Sequence, residues 1–312
     1  NRNLAIVVNA TGTWLGISNN NWNDGLNWCG AVPGAATNVI IPAGTPNNPV
    51  ISSLAMANNI SVAAGATLTI NNATLQTGGT ITSNANIIAM DGTLELNGTS
   101  IQSIGANTFQ GNALGHLVIN NNTGVILNGI LDIYGSLTYG NNGVDLKTNN
   151  LLTLKSTLAN TAWIGNMTGK TIEGDVTVER YIPNHSKAWQ FLSVPVTGLQ
   201  TIHEAWQDTA NFANQNRFPG FGTMLTSNLP GALALGFDVY TAPGPSIKVY
   251  NSNTGGYIGV PSTKTTAISN PRGYMVFVRG DRSVTAHNQP ATSTVLRTKG
   301  RLYTPADAPP VT

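Results

Sequence analysis

The sequence predicts an all-β protein: an N-terminal, Trp-rich cap and a β-solenoid resembling a parallel β-helix, followed by an antiparallel β-sandwich with one short helix. Short β-type segments recur every six to eight residues between about residues 58 and 158, each closed by Asn, Gly or Asp. Longer mixed strands follow. Only 9% of the residues are charged, and 34 glycines, with many Asn, Thr and Ser residues, take their place.

The apolar positions of the repetitive stretch alternate with Thr, Ser and Asn. In a solenoid, each rung would bury these apolar residues against the next rung. A β-sandwich with short strands would produce a similar rhythm, so this alternative stays open. The predicted inward-facing residues are Ile60, Leu68, Leu75, Ile81, Ile87, Leu94 and Ile101.

Three tryptophans precede the solenoid within fifteen residues: Trp14, Trp22 and Trp28. Exposed rings of this kind would stack on sugars. Rings that cover the open end of the first rung would instead keep its core from water. We predict the cap and retain glycan stacking as the alternative.

The composition changes near residue 172, with nine charged residues before residue 173 and nineteen from there onward. The later strands are DVTVERYI, WQFLSVPV, FDVYTA, SIKVYN, YMVFVRG and VLRTKGRLY, a pattern typical of an antiparallel sandwich. A helix is predicted over residues 199–211, with Ile202, Ala205 and Trp206 on one face. The predicted domains are therefore a capped solenoid (1–172), a sandwich module (173–303) and a Pro-rich linker or tail (304–312).

Charge and hydropathy exclude several kinds of partner. A net charge of +2 gives no electrostatic basis for binding nucleic acid or an anionic membrane. No apolar run approaches the roughly 20 residues that a membrane span requires. The single cysteine, Cys29, excludes an internal disulfide, and we expect it to be buried in a packed turn.

The solenoid offers little for polysaccharide chemistry, although parallel β-helices often carry lyases and hydrolases. Glycoside hydrolysis needs two carboxylates that face one sugar bond. Asp91 and Glu95 are the only local pair, and we interpret both as exposed turn residues.

Two motifs of the second region resemble functional sites without completing them. His203-Glu204 begins a zinc-binding helix motif, but Gln207 replaces the second histidine. Arg279-Gly280-Asp281 is an integrin-type tripeptide, which we expect to form a turn with a local Arg–Asp pair. The sequence therefore predicts no catalytic residues, no metal ligands and no cofactor.

The segment TIEGDVTVERYIPNHSKAWQFLSVPV resembles a module of the large, repetitive surface proteins that Bacteroidota-type bacteria export through the type IX system. In that family a Trp-rich opening and solenoid rungs precede a GxVTVERYIP…WRFLxxPV motif. HEAWQ, FPGFGTML, GFDVY, SIKVYNSNTGGYIGV and RGYMVFVRGDRS extend the similarity over most of residues 173–303. The resemblance implies a secreted, cell-surface protein with an adhesin-like role.

We therefore predict a non-enzymatic, extracellular structural or adhesive protein that builds a fibre or stalk. An apolar N-terminal strand can complete the sheet of a neighbouring copy, which would give a homopolymer. That strand consists of Leu4, Ala5, Ile6, Val7 and Val8. Other surface proteins and glycans are further expected partners. The alternatives are a carbohydrate-binding adhesin module that uses the tryptophans or a solenoid face and, third, a polysaccharide lyase or hydrolase.

Overall fold

The structure, a computed structural model, describes residues 9–210, 215–241, 244–269 and 272–304. The predicted terminal strand at residues 4–8 and residues 305–312 of the predicted tail lie outside the described residues. The chain divides into two compact units. The first contains Asn1–Leu152 and Ala162–Glu173, and the second contains Thr153–Thr161 and Gly174–Thr312.

Nearly all regular structure in the described residues is β, as predicted. The strands up to residue 147 are β1 (Val39–Ile41), β2 (Val50–Ile51), β3 (Ala55–Ala57), β4 (Ile60–Val62), β5 (Leu68–Ile70), β6 (Thr74–Thr77), β7 (Ile81–Thr82), β8 (Ile87–Leu96), β9 (Gln102–Gly105), β10 (Phe109–Ile119), β11 (Val125–Asn128), β12 (Leu131–Tyr139) and β13 (Asp145–Lys147). The later elements are β14 (Leu152–Leu154), β15 (Trp163–Ile164), β16 (Thr171–Glu173), β17 (Val176–Ile182), β18 (Ala188–Ser193), β19 (Val196–Thr197), α1 (Ile202–Trp206), β20 (Ile247–Asn251), β21 (Gly256–Gly259), β22 (Gly273–Val278) and β23 (Thr294–Leu302). A 3-10 helix spans Gly25–Asn27.

The first unit is a β-solenoid of about seven turns, which confirms the predicted fold class. Strands one turn apart pair in parallel, which gives three successions of neighbouring strands: β1-β4-β7, β2-β5-β8 and β9-β11-β13-β16. Val39 pairs with Ile60 and Ile60 with Ile81, so one turn takes 21 residues at this point. This turn is longer than the spacing of the predicted segments because each turn contains several short strands.

Identical apolar side chains stack from one turn to the next. Leu75 pairs with Leu94, Leu94 with Leu117, and Leu117 with Leu137, and all four are completely buried. We call these four residues the leucine ladder. Burying one leucine contributes roughly 1.5–3 kcal/mol. Because each ladder residue is covered by its neighbours in adjacent turns, a single turn could not gain this energy alone.

Most of the predicted inward positions are buried, but two are not. Ile81 is half-buried, and Ile101 is 63% exposed, so the prediction for Ile101 is wrong. Its neighbours explain the difference, because β9 buries Gln102 and Ile104 instead.

Glycines form one corner of the solenoid. The corner is at Gly92 in β8, at Gly115 in β10 and at Gly135 in β12. A Cβ on Gly115 would lie 2.6 Å from the carbonyl oxygen of Met90 and 2.7 Å from that of Gly92. A Cβ on Gly135 would lie 2.8 Å from the carbonyl oxygen of Gly115. The backbones of successive turns therefore approach too closely at this corner for any side chain.

The second unit contains two antiparallel sheets and α1. In one sheet β17 pairs with β23 along its whole length, and β19 pairs with the end of β23. The other sheet has the strand order β18-β22-β20-β21. Thr201 and Glu204 form a capping box at the start of α1. The helix is shorter than predicted because Asp208 and Thr209 adopt positive φ angles of 56° and 53°.

Three further details differ from the sequence expectations. Residues 153–161, predicted as solenoid, belong to the second unit, where Lys155 Nζ lies 2.6 Å from Glu179 Oε1. The segment FDVYTA forms no strand over residues 237–241, where the Asp238 N–H donates to the carbonyl oxygen of Leu225. Cys29 is half-buried rather than buried.

The corner geometry predicts that Gly115→Ala lowers the free energy of unfolding by about 1–3 kcal/mol, as overpacking of a fixed backbone does. Chemical denaturation followed by circular dichroism measures the change. Gly34→Ala is the matched control, because a Cβ at Gly34 meets nothing within 4 Å. Equal stability of the two variants would contradict the close backbone approach at the corner.

Candidate functional site

The three N-terminal tryptophans lie inside the first unit. Trp14 and Trp22 are completely buried, and Trp28 is 3% exposed. The Trp28 ring makes edge-to-face contacts with both partners, at centroid distances of 4.9 Å to Trp14 and 4.7 Å to Trp22. Trp28 Nε1–H donates to the carbonyl oxygen of Trp22, and Trp14 Nε1–H donates to that of Asn47. No ring face of this cluster is open to a sugar.

The backbone next to these rings pairs with strands of the first turn. Thr13 forms a parallel bridge with Ile40, and Asn21 forms one with Val50. The aromatic cluster thus lies next to the first turn, which is the position that the cap interpretation requires.

The two carboxylates Asp91 and Glu95 have different surroundings in β8. Glu95 accepts hydrogen bonds from Gln76 Nε2 at 2.9 Å and from Asn120 Nδ2 at 2.8 Å, so neighbouring turns hold both of its oxygens. Asp91 is exposed on the other side of the Gly92 corner. Among the described residues, no group of three or more His, Cys, Asp and Glu side chains is placed to hold a metal ion.

The incomplete zinc motif has structural roles. Glu204 belongs to the capping box of α1. His203 Nδ1 lies 3.2 Å from Gln207 Oε1, and Gln207 Nε2 donates to Asp238 Oδ2 at 2.8 Å. Gln207, which stands where the motif needs a second histidine, is therefore buried and hydrogen-bonded, whereas Glu204 is exposed.

The Arg279-Gly280-Asp281 tripeptide is buried, and the expected Arg–Asp pair is wrong. Arg279 is 4% exposed, donates to the carbonyl oxygen of Met224 and lies 4.3 Å from the centroid of Tyr240. Asp281 is 7% exposed and accepts hydrogen bonds from backbone and hydroxyl groups. Neither side chain presents an integrin-type motif at the surface.

Burial alone would raise the pKa of Asp281, but hydrogen bonds to its carboxylate have the larger combined effect. The Ser283 hydroxyl, the Gly220 N–H at 2.8 Å and the Thr292 hydroxyl at 3.0 Å all donate to it. Together they lower the pKa of Asp281 below its usual value. The charged carboxylate thus fastens the segments around residues 220 and 292 to its own loop.

A buried ion pair that the sequence did not reveal lies next to Gln207. The Arg282 guanidinium contacts Asp238 with both terminal nitrogens, at 2.6 Å and 2.9 Å, and both side chains are 1% exposed. Removing one partner of such a pair typically costs about 3–5 kcal/mol, because it leaves a buried charge uncompensated. The two residues are 44 positions apart, and no local pattern links them.

A further exposed apolar feature is the outer surface of the sheet β18-β22-β20-β21. Its inner surface buries Ile247, Tyr274, Val276 and Val278. Aromatic side chains alternate with these toward solvent. Phe191 is 70% exposed, Tyr250 59%, Tyr257 47% and Trp189 36%, and Phe277 is half-buried. We call these five residues, Trp189, Phe191, Tyr250, Tyr257 and Phe277, the aromatic face.

A groove of about 800 Å³ covers the part of the aromatic face formed by Phe191, Tyr250 and Tyr257. Gly273 pairs with Ser193, and Tyr250 pairs with Tyr257. A Cβ at Gly273 would meet nothing within 4 Å. Because this residue has no side chain, β22 has a depression at this point between β18 and β20. The centroids of Tyr250 and Tyr257 are 5.5 Å apart, and those of Phe191 and Tyr257 are 6.0 Å apart.

The charges at this face are all positive. Arg272 lines the groove, and Lys248 Nζ lies 4.8 Å from the centroid of Trp189. No carboxylate is among the described residues that line the groove. The sequence pattern does not reveal this face, because strands such as WQFLS and YMVFV carry apolar residues on both faces and their alternation does not show which face is exposed.

The low pKa of Asp281 predicts a pH-dependent contribution to stability. A carboxylate whose pKa is depressed by folding stabilises the protein above its unfolded pKa, and this contribution is lost as the pH falls through the folded value. Asp281→Asn should therefore lower the melting temperature clearly near neutral pH and progressively less as the pH falls below the usual Asp value of about 3.9. Differential scanning calorimetry at neutral pH and at a pH well below that value measures the effect.

Ser283→Ala serves as the graded control, since it keeps the carboxylate but removes one donor. Its loss of melting temperature should be smaller and should follow the same pH dependence. A loss for Asp281→Asn that is equal at both pH values would contradict a role for the charged form.

One protein-family profile, described as a domain of unknown function (DUF8693), matches residues 13–113. No curated protein matches the chain. No solved structure matches it either. The matched residues include the tryptophan cluster and the strands from β1 to the middle of β10, and the aromatic face lies outside them.

Proposed function

We propose that this chain is a non-enzymatic, extracellular structural or adhesive protein of a bacterial surface. In this proposal the solenoid is a stiff spacer, and the second unit carries the surface that contacts a partner. The exposed aromatic face is the observation that carries the proposal.

The aromatic face is unusual for a sheet whose other side covers a core. Such antiparallel sheets normally present polar side chains to water. Contiguous exposed apolar surface on a soluble protein marks an interaction site. Four aromatic residues between 36% and 70% exposed, on three of the four strands of one sheet, meet this description.

Two of the candidate acids already form hydrogen bonds within the protein, which supports a non-enzymatic role. Glu95 is held by two amide side chains from neighbouring turns, and Glu204 caps α1. A lyase or hydrolase would need acids that stay free to exchange protons with a substrate. The scarcity of charge and the resemblance of residues 173–303 to type IX-exported surface proteins support the extracellular location. No helix among the described residues is both long and apolar enough to span a bilayer.

Incubation with pectin- and alginate-type polysaccharides tests the absence of activity. We expect no change in the length of the polysaccharide chains, measured by size-exclusion chromatography and by release of reducing ends. Depolymerisation that disappears in Asp91→Asn but persists in Asp24→Asn would contradict the proposal and favour the lyase or hydrolase alternative.

Assembly into a homopolymer remains part of the proposal. Its support is the apolar character of Leu4, Ala5, Ile6, Val7 and Val8, together with exposed sheet edges in the second unit. β18 and β21 are the outer strands of their sheet and offer backbone groups on one side for strand addition.

The double substitution Ile6→Asp and Val8→Asp tests strand exchange. Charged residues would prevent the segment from being buried against a neighbouring copy, so assembly should be lost. Sedimentation velocity over a range of concentrations and negative-stain electron microscopy measure it. Asn3→Asp, which adds one charge immediately before this segment, should assemble normally. A monomeric wild-type chain at every concentration would contradict strand exchange.

A carbohydrate-binding adhesin module is the second candidate. The aromatic face favours it specifically, because planar rings and flanking polar groups are what a sugar-binding groove requires. The buried tryptophans Trp14, Trp22 and Trp28 lend it no support.

A further inference from the structure

We propose that the aromatic face binds an acidic polysaccharide, in which the pyranose rings of uronic-acid residues pack on Phe191, Tyr250 and Tyr257. The sugar carboxylates pair with Arg272 in the groove, and Lys248 adds positive charge on the same face beside Trp189. This inference rests on the contact role proposed above for the second unit and names its ligand class.

The shape of the groove suits a short stretch of a sugar chain. Its volume of about 800 Å³ lies within the range of roughly 300–1,000 Å³ that is typical of ligand sites. The rings of Tyr250 and Tyr257 stand at 66° to one another, and those of Phe191 and Tyr257 at 56°. The three rings therefore form the walls of a groove rather than one flat surface.

The chemistry of the walls matches a pyranose ring. The C–H bonds on one face of such a ring are apolar with partial positive charge, and they pack well against the negative face of an aromatic ring. The hydroxyls of Tyr250 and Tyr257 both donate and accept hydrogen bonds, which is what the equatorial hydroxyls of a sugar need. Because the rings already contact one another, little conformational entropy is lost on binding.

The charge around the groove selects an anionic ligand. Arg272 and Lys248 contribute positive charge, and neither forms an ion pair within the part of the chain that the structure describes. The ranges of the second unit contain twelve basic and seven acidic residues, whereas those of the first contain three and six. The potential around the second unit therefore attracts polyanions, which a neutral glycan would not exploit.

A second copy of this chain is a less suitable occupant. A symmetric contact between two aromatic faces would enclose the positive charges of both copies, and no carboxylate lines the groove in the described residues to pair with them. Like charges placed together in an interface oppose association. An anionic chain compensates these charges instead.

Isothermal titration calorimetry with hexagalacturonate tests the inference, with maltohexaose as the neutral probe of equal length. We expect hexagalacturonate to bind, with an affinity that falls as ionic strength rises, and maltohexaose to bind at least about tenfold more weakly. Phe191→Ala and Arg272→Gln should each weaken hexagalacturonate binding by about tenfold.

Two matched controls lie in the same unit outside the groove. Leu199→Ala removes a side chain that is 91% exposed, and Lys264→Gln removes an exposed cation. Both should bind hexagalacturonate like the wild type. Circular dichroism verifies the fold of every variant, and chromatography of the recovered hexagalacturonate distinguishes binding from cleavage.

Three results would overturn the inference: no binding of hexagalacturonate, equally tight binding of maltohexaose, or equal weakening by the groove and control substitutions. Self-association of the free chain that Phe191→Ala abolishes would assign the face to a second copy and also overturn it. Cleavage of the recovered hexagalacturonate would instead contradict the proposed non-enzymatic function, so the two failures are distinguishable.

Discussion

Parallel pairing between strands one turn apart is the interaction on which the first unit depends. This pairing sets the register that places each leucine of the ladder on the leucine of the next turn, from Leu75 to Leu137. The same register brings the backbones together at the corner glycines, where only hydrogen atoms fit between turns. Because the side-chain period of a strand is two, a slip by one residue would turn the whole ladder toward solvent. Backbone hydrogen bonds, buried leucines and glycines thus support one another.

The second unit differs from the first because its interior contains charged side chains. Its interior contains a complete ion pair, Arg282 with Asp238, and a carboxylate, Asp281, that several donors satisfy. These groups connect loops that have little regular structure of their own. The same unit also buries apolar side chains such as Ile202, Trp206 and Leu225, and other aromatic side chains lie on the outer surface of one sheet, at the aromatic face. In the proposed function, the buried core stabilises the unit, and the exposed rings provide binding.

Sequence patterns gave the fold class correctly for clear reasons and missed the site for equally clear ones. Short β segments with regular turns require neighbouring rungs to bury their apolar residues, so the solenoid was predictable. The length of a turn was not predictable, because nothing local shows how many strands make one turn. For the same reason the side chain of Ile101 was assigned to the buried face although it is exposed. The Arg282–Asp238 pair joins residues 44 positions apart and depends on tertiary structure. The aromatic face was hidden because its strands, such as β18, carry apolar residues on both sides.

Hydrogen exchange of the free chain, followed by mass spectrometry, tests most directly whether in-register stacking holds the solenoid together. Amides hydrogen-bonded between turns open only when a turn separates from its neighbours. The account predicts that the amides of β8, β10 and β12 exchange slowest in the first unit and lose protection together in Gly115→Ala. Exchange in these strands as fast as in the connecting loops, or a loss of protection confined to the residues next to Gly115, would contradict it.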